Sequence, residues 1–278
     1  MEGEKKRVVL VTGASSGLGK EFAIAFARQG SYRVVLAARR THLLESVCEE
    51  IGHHDARSVE LDVSANEKFI DAAVDRAWNC FGGVDVLINN AGIRGNSSIS
   101  FSLSFENMKR PVKSPLELDE DDWNKTFNTN TRGTWLVSKA VARRMVAAKK
   151  PGSIINISST ASSGGLLPGG IAYASSKAAI NRLTQSMALE LGKFKIRVNA
   201  IAAGIFRSEI TDSLLDKAWV HDAAAKIVPL LRFGQVSPDL TSLVLMLASE
   251  EHSSYITGQI YHVDGGHTLP GIRLWSSL

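Results

Sequence analysis

The sequence predicts an α/β fold, with one doubly wound parallel sheet of about seven strands and helices on both faces. The first observation is that short apolar runs alternate with amphipathic, helix-like stretches, and the runs occupy 8–11, 33–38, 58–63, 84–90, 153–158, 196–203 and 260–264. Strands that are apolar throughout are typical of a parallel sheet covered on both faces. The second observation is that the 278 residues contain no internal repeat and no break in composition. They therefore predict a single domain over 1–278.

Composition indicates a globular chain and argues against several classes of partner. Hydrophobic residues make up 44% and charged residues 22% of the chain, as in ordinary globular proteins. The net charge of +4 is dispersed, so we expect no nucleic-acid partner. No apolar run reaches the length of about 18 residues needed for a membrane span, and the N-terminal MEGEKKR has no apolar signal region. We therefore expect a cytoplasmic protein, with a peroxisomal one as the alternative because the terminal Ser-Ser-Leu distantly resembles Ser-Lys-Leu.

Metal and disulfide chemistry are not expected. Cys48 and Cys80 lie in helix-like segments and have neither redox nor metal-binding spacing, which suits a reducing compartment. The seven histidines form no HExxH pattern and no Cys/His cluster. The acidic run 119–122 is interpreted as the N-terminus of a helix, where the macrodipole favours negative charge.

A glycine-rich segment, TGASSGLG over 12–19, joins the first predicted strand to the first predicted helix. Glycines there let the backbone turn tightly and approach a pyrophosphate that faces the helix N-terminus. The segment predicts a Rossmann-type dinucleotide site, and a purely structural turn is the alternative. The candidate cofactor-binding residues are Gly13, Ser15, Ser16, Gly17, Leu18 and Gly19.

The end of the second predicted strand indicates which cofactor binds. A carboxylate about 20 residues past the glycines would bind the free ribose 2′-hydroxyl of NADH. The sequence instead reads Ala38, Arg39 and Arg40. The planar fork of Arg39 can hold the 2′-phosphate of NADPH, so we predict NADP as the cofactor, with NADPH preferred over NADH. The alternative is that both arginines are a solvated start to the next helix.

Tyr173 and Lys177 form the pair most suggestive of chemistry. If the segment is helical, their i and i+4 positions share one face. A nearby ammonium favours the phenolate and so lowers the pKa of a tyrosine, which makes it a usable proton donor or acceptor. The spacing alone also arises by chance, so the interpretation depends on what surrounds the pair. Ser159 lies in a hydroxyl-rich run upstream, where hydroxyls also often cap the backbone.

Together these motifs resemble the short-chain dehydrogenase/reductase family, and in particular its 3-oxoacyl-[acyl-carrier-protein] reductase-like branch. The motifs occur in the order that the family uses, from about residue 7 to 267. After the glycine loop they are Leu61-Asp62-Val63, Asn89-Asn90-Ala91-Gly92, Asn130, Ser159, Tyr173-x-x-x-Lys177, Arg197-Val198-Asn199 and Val263-Asp264-Gly265-Gly266. Agreement of collinear motifs over this span is far more specific than any one of them.

The resemblance implies a role for each matched residue. Tyr173 would be the general acid in carbonyl reduction and the base in alcohol oxidation. Lys177 would lower its pKa and hold the nicotinamide ribose, while Ser159 would hydrogen-bond the substrate oxygen. Asn130 would hold a water that links Lys177 to solvent, although an asparagine that only bonds the backbone is the alternative. The remaining implied cofactor contacts are Asp62 at the adenine, then Val63, Asn89, Ala91, Gly92, Gly204, Ile205 and Ser208.

The sequence also departs from the family pattern. Ser159 precedes Tyr173 by 14 residues where 13 is common, so Ser158 or Thr160 is an alternative partner. Ala203-Gly204 replaces the usual Pro-Gly, which leaves that backbone less constrained. The segment 97–111 is interpreted as an inserted loop. The alternative interpretations are a mobile insertion, a lid and an oligomer contact. Because the loop would lie near the mouth of the site, it could impair substrate entry.

The substrate and the assembly are predicted only in outline. Leu166, Leu167, Phe206 and Trp219 are candidate walls of the substrate pocket by family position, with ordinary packing under a loop as the alternative. Small apolar faces near Tyr173 predict a homo-oligomer, either a tetramer or a dimer. The function predicted is NADPH-dependent hydride transfer to a small-molecule carbonyl, of 3-oxoacyl or small-ketone type. The alternatives are an NAD-dependent alcohol dehydrogenase and a catalytically impaired nucleotide-binding scaffold.

Overall fold

The computed structural model describes residues 6–94, 113–164, 170–207 and 227–269. Seven strands form one sheet, and their bounds are β1 (Arg7–Thr12), β2 (Tyr32–Ala38), β3 (Ala56–Glu60), β4 (Val86–Asn89), β5 (Gly152–Ser159), β6 (Ile196–Ala203) and β9 (Ile260–Val263). Their order is β3-β2-β1-β4-β5-β6-β9, and every neighbouring pair is parallel. The predicted doubly wound parallel sheet is confirmed. A second, two-stranded sheet of β7 (Phe206–Arg207) and β8 (Gly234–Gln235) was not predicted.

Helices cover both faces of the large sheet. They are α1 (Gly17–Arg28), α2 (Thr41–Ile51), α3 (Glu67–Asn79), α4 (Glu120–Phe127), α5 (Gly133–Ala147), α6 (Ile171–Leu191), α7 (Thr241–Ala248) and α8 (Glu250–Ser253). Side chains of α1, α2 and α7 pack on one face, and those of α3, α5 and α6 on the other. Alternate residues of a strand point to opposite faces of the sheet. Val9 and Val11 pack against the first group of helices, and Val8 and Leu10 pack against the second.

The third strand is shorter than predicted. The sequence suggested 58–63, whereas β3 ends at Glu60, the last residue to pair with β2. The chain turns immediately afterwards because Asp62 Oδ1 accepts hydrogen bonds from the backbone N–H and the hydroxyl of Ser64. This local turn competes with continued pairing, and it moves Asp62 from the sheet to its carboxyl edge.

A π-type turn, Asn128–Arg132, joins α4 to α5. Such one-turn bulges are frequent at functional sites because they redirect side chains from a regular helix. The buried residue of this turn is Asn130. Within the described ranges, no helix combines the length and the apolar character needed to cross a membrane. The proposed insertion 97–111 lies outside the described residues.

Candidate active site

A cleft opens at the carboxyl edge of the sheet, beside the ends of β1, β2 and β4. This is where the strand order reverses from β1 to β4, the position at which open α/β sheets bind ligands. The cleft encloses about 360 Å³, within the range of small-ligand pockets. Its lining includes Gly13, Ser15, Ser16, Gly17, Leu18, Ala38, Arg39, Arg40, Asp62, Val63, Ala91 and Gly92.

The glycines of the loop between β1 and α1 are required by close backbone contacts. Gly13 has a φ of +67°, in the left-handed region that favours glycine. A Cβ on Gly19 would lie 2.4 Å from the carbonyl oxygen of Gly13, so no larger residue fits there without moving the loop. The loop thus folds back onto the first turn of α1, which has no acidic residue. An open glycine cradle at a helix N-terminus fits the pyrophosphate of a dinucleotide.

Thr12 and Asn90, which the sequence analysis did not select, hold this loop in position. The amide nitrogen of the Asn90 side chain donates to the carbonyl oxygens of Thr12 (3.1 Å) and Gly13 (3.3 Å). The Thr12 hydroxyl accepts from the backbone N–H groups of Asn90 (3.0 Å) and Ala91 (3.1 Å). The signal that could have found them was a polar residue at the end of each of two adjacent strands.

Asn89 does not contribute its side chain to the cleft, contrary to the expectation. It is 4% exposed, and its side-chain nitrogen donates to Ser138 Oγ and Asn156 Oδ1, both at 2.8 Å. Asn89 is still within β4, so its side chain points into the layer beneath α5, whereas Asn90 follows the strand. A buried amide must find partners, and Asn89 finds them in the core.

Arg40 reaches the glycine loop. Its guanidinium donates to Ser15 Oγ at 3.0 Å and to Ser16 Oγ at 2.7 Å. Arg39 is exposed at the edge of the same cleft. From the sequence, Arg39 was expected to be the main phosphate-binding residue. The arrangement instead brings Arg40 and two hydroxyls together, a donor-rich set suited to a phosphate.

Asp62 and Val63 form the opposite wall of the cleft. One oxygen of Asp62 is engaged by Ser64, as described above, and the second oxygen accepts no hydrogen bond from the described residues. Val63 is 8% exposed and packs against Gly133, where a Cβ would lie 2.5 Å from the Val63 carbonyl oxygen. The start of α5 is therefore packed directly beneath this wall.

Tyr173, Ser159 and Lys177 meet beyond the inner end of the cleft. Ser159, the last residue of β5, lies close enough to Tyr173 for its hydroxyl to lower the pKa of the tyrosine. Lys177 Nζ lies 5.8 Å from the centroid of the Tyr173 ring and donates to the carbonyl oxygen of Ile157 at 2.7 Å. The alternative Ser158 is buried and donates its hydroxyl to the Lys177 carbonyl oxygen at 3.3 Å, so it serves packing.

Gly92 and Asn130 connect this group to the cleft. A Cβ on Gly92 would lie 3.2 Å from Asn130 Oδ1 and 3.5 Å from Lys177 Nζ. Asn130 is fully buried, and its amide bonds the backbone N–H and carbonyl oxygen of Ile93, both at 2.8 Å, and Ser176 Oγ at 3.0 Å. Asn130 thus ties the segment after β4 to α6, which agrees with the alternative of a backbone-bonding asparagine.

The pKa values differ from the simple expectation for a tyrosine–lysine pair. Burial raises the pKa of Tyr173 above its usual value, while the hydrogen bond with Ser159 and the charge of Arg94 oppose the rise. Burial also lowers the pKa of Lys177 to about 8, because a buried ammonium loses its hydration. The groups that lower the pKa of Tyr173 are therefore Ser159 and Arg94, and sequence reasoning did not select Arg94.

The other predicted residues follow β6, whose last residue, Ala203, pairs with Ser159, or lie outside the described chain. Gly204 and Ile205 follow β6, and Gly204 donates its backbone N–H to the Val263 carbonyl oxygen at 2.9 Å. Phe206, a predicted wall of the substrate pocket, is 7% exposed and its ring packs on Gly234. It also lines a small cavity with Ile205 and Leu230. Leu166, Leu167, Ser208 and Trp219 lie outside the described residues.

The buried ammonium of Lys177 should reduce the stability of the fold at neutral pH. Between about pH 8 and 10.5 the unfolded lysine binds more protons than the folded one, so the free energy of unfolding should rise with pH in that window. Lys177→Met should raise the free energy of unfolding at pH 7 by about 1–3 kcal/mol. This advantage should disappear above pH 10.5.

Urea denaturation of the wild type and the variant across pH 7–11 measures the difference. Lys193→Met, at an exposed lysine, is the matched control and should change little at any pH. An advantage of Lys177→Met that does not vary with pH would contradict the explanation.

The fold and the cleft are those of a dinucleotide-binding class of protein. Comparison with known proteins gives the family. A family model described as short chain dehydrogenase matches residues 7–219. The chain belongs to the short-chain dehydrogenase/reductase family, whose members are oxidoreductases that use NAD(P).

Individual relatives agree with this assignment over nearly the whole chain. The 3-oxoacyl-[acyl-carrier-protein] reductase FabG of Thermotoga maritima is 33% identical over 262 residues, covering 94% of this chain and 97% of its own. A short-chain type dehydrogenase/reductase from Mycobacterium marinum superposes with a TM-score of 0.81 at 32% identity, covering 96% and 97%. The structure of ElxO with NADP bound has a TM-score of 0.79 at 30% identity, covering 94% and 98%. The chain is therefore similar to 3-oxoacyl-carrier-protein reductases within the family.

Proposed function

We propose that the protein is an NADPH-dependent carbonyl reductase of 3-oxoacyl or small-ketone type, with Tyr173 as its general acid. The observation that carries the proposal is the convergence of Tyr173, Ser159 and Lys177 beyond the inner end of the glycine-loop cleft. Gly92 lines the cleft and lies against Lys177, so a dinucleotide held by the glycine loop would extend toward the tyrosine. The similarity to 3-oxoacyl-carrier-protein reductases supports the same substrate class.

Each side chain has a task that its surroundings permit. The cofactor, when bound, supplies the hydride to the substrate carbon. Tyr173 donates its hydroxyl proton to the carbonyl oxygen, and its raised pKa keeps the proton in place at neutral pH. Ser159 stabilises the developing negative charge on that oxygen by a hydrogen bond. Lys177 provides a buried ammonium next to the tyrosine, and this ammonium donates to the Ile157 carbonyl oxygen. Asn130 holds the segment after β4 through Ile93.

NADP is the proposed cofactor because of Arg40. Its guanidinium, together with the hydroxyls of Ser15 and Ser16, provides donors for a 2′-phosphate beside the end of β2. Arg39 adds a second exposed cation at the same edge. The structure of ElxO carries bound NADP, which supports this choice for a related protein. The same arginines count against the alternative of an NAD-dependent alcohol dehydrogenase, since NAD has no phosphate for them to bind.

A spectrophotometric screen tests the proposal directly. Ketones and 3-oxoacyl thioesters are incubated with NADPH or NADH, and the oxidation of the cofactor is followed. We expect turnover of at least one substrate class, with a higher kcat/KM for NADPH. Cofactor binding without turnover across the whole panel would favour the impaired scaffold instead, and a strong NADH preference would favour the alcohol dehydrogenase.

We also propose a homo-oligomer, either a dimer or a tetramer, that pairs through α5 and α6. Trp135 on α5 is 43% exposed and lines an apolar groove with Phe127 and Leu183. Light scattering should give a mass that is a multiple of 30.0 kDa. Trp135→Glu should lower this mass because it places a charge in the contact, whereas Leu116→Glu, at a side chain that is 97% exposed, should not. A 30.0 kDa species alone for the wild type would contradict the proposal.

A further inference from the structure

A second cation, Arg94, lies beside Tyr173. The central carbon of its guanidinium is 5.9 Å from the centroid of the tyrosine ring, about as close as Lys177 Nζ. Arg94 follows Gly92 and Ile93, which line the cleft, and its side chain is half-buried. The residue is therefore placed where the segment after β4 passes the tyrosine, at the point where a substrate would approach.

The guanidinium of Arg94 has no acidic partner among the described residues. The ion pairs formed by those residues do not include Arg94, and Tyr173 is the only titratable side chain among them that affects its pKa. Burial lowers the pKa of Arg94, but an arginine still keeps its proton at any pH at which a protein is folded. A partly desolvated positive charge without a counterion is costly unless a ligand supplies the negative charge.

Other part-buried arginines have side-chain or backbone acceptors among the described residues. Arg144 pairs with Asp71 at 2.8 Å and with Asp75 at 3.3 Å. Arg132 donates to the Ala65 carbonyl oxygen at 2.9 Å, and Arg197 donates to that of Leu247 at 2.8 Å. The guanidinium donors of Arg94 have no such acceptors among the described residues, so they are available to a ligand beside Tyr173.

We propose that Arg94 binds an anionic group of the substrate, so that the preferred substrates are short oxo acids. The inference rests on the proposed carbonyl reduction and narrows its substrate class. A guanidinium binds a carboxylate through two parallel hydrogen bonds. Because the guanidinium lies beside the same ring whose hydroxyl protonates the carbonyl, the two groups of the substrate must be close together. That condition is met by 2-oxo and 3-oxo acids, in which one or two bonds separate the carboxyl carbon from the carbonyl carbon.

The test compares free acids with their neutral methyl esters. A panel of 2-oxo and 3-oxo acids, including acetoacetate, is assayed with NADPH beside the corresponding esters. For the wild type we expect a higher kcat/KM for the acid of at least one pair. Arg94→Met, which removes the charge but keeps the length, should lower the acid-to-ester ratio about 10- to 100-fold. The loss should appear mainly as a higher KM for the acid, while the ester is little affected, and Arg94→Lys should recover part of it.

The control is Arg57→Met. Arg57 also lies over an aromatic ring, 5.5 Å from the centroid of Phe81, but it is exposed on β3 at the far edge of the sheet. Its replacement should leave the ratio unchanged. If Arg94→Met lowers the rates for acid and ester equally and shifts the pH profile, Arg94 acts only on the proton of Tyr173. That result would overturn the inference.

A binding measurement separates this inference from the proposed function. In Tyr173→Phe, quenching of NADPH fluorescence reports whether acetoacetate binds more tightly than methyl acetoacetate, without turnover. Tighter binding of the acid that is lost in the double variant with Arg94→Met supports anion binding even if no substrate of the panel is reduced. Equal binding of acid and ester overturns the inference, whereas absence of turnover in the wild type bears only on the proposed reduction.

Discussion

Tyr173→Phe is expected to lower kcat for carbonyl reduction about 10²- to 10⁴-fold, the usual contribution of a positioned general acid. The variant keeps the ring beside Arg94 and Lys177 but removes the proton that the carbonyl oxygen needs. Binding of NADPH should persist, because the glycine loop and Arg40 are unchanged. Steady-state rates with the best substrate of the screen, together with a fluorescence titration of NADPH, measure both quantities.

Tyr261→Phe is the matched control for this experiment. Tyr261 lies on β9, pairs with Ile201 in the sheet and is partly exposed. Its replacement should leave kcat within a factor of about two, since exposed or half-exposed hydroxyls contribute little beyond solvation. Retained activity in Tyr173→Phe would remove the tyrosine from the proposed role, whatever the behaviour of the cofactor.

The second large effect concerns the choice of cofactor. Arg40→Ala is expected to lower kcat/KM for NADPH about 10- to 100-fold, because a charge-assisted hydrogen bond contributes about 1.5–3 kcal/mol. The value for NADH should change little, since NADH has no 2′-phosphate. The effect of Arg39→Ala should be smaller, because Arg40 is the residue that reaches Ser15 and Ser16.

The ratio of the two kcat/KM values in each variant is the measurement. Arg28→Ala, at an exposed arginine at the end of α1, is the control and should leave the ratio unchanged. If Arg40→Ala lowers kcat/KM equally with NADPH and NADH, the arginine supports the loop and does not bind the 2′-phosphate. A larger effect at Arg39 would restore the assignment made from the sequence.

The chemistry of the tyrosine–lysine pair could be anticipated from spacing, but its electrostatics could not. An i and i+4 pair on a helix predicts adjacency, and α6 brings the two side chains together. From the spacing, Lys177 was expected to lower the pKa of Tyr173. Burial instead raises the pKa of the tyrosine and lowers the pKa of the lysine to about 8. Burial depends on every element packed around the pair, so it cannot be predicted from a local sequence pattern.

The neighbouring residues Asn89 and Asn90 are a second case in which the sequence motif predicts a location but not which side chain faces the cleft. The motif Asn89-Asn90-Ala91-Gly92 correctly predicts that β4 ends at the cleft. Which asparagine faces the cleft depends on the last residue that remains in the strand. Asn89 stays in the sheet and joins Ser138 and Asn156, while Asn90 leaves it and holds the loop at Thr12. A shift of one residue in the end of the strand would exchange these roles.

The sequence by itself determined the parallel sheet, the glycine loop after β1 and the presence of Tyr173 and Lys177 on one helix. These features follow from short-range rules, namely apolar runs, glycine geometry and helical spacing. Only the tertiary structure decided that Arg40 reaches Ser15 and Ser16, that Phe206 packs in the core and that Arg94 lies beside Tyr173. Those contacts join segments far apart in the chain, and the fold of the loops between them sets which side chains meet.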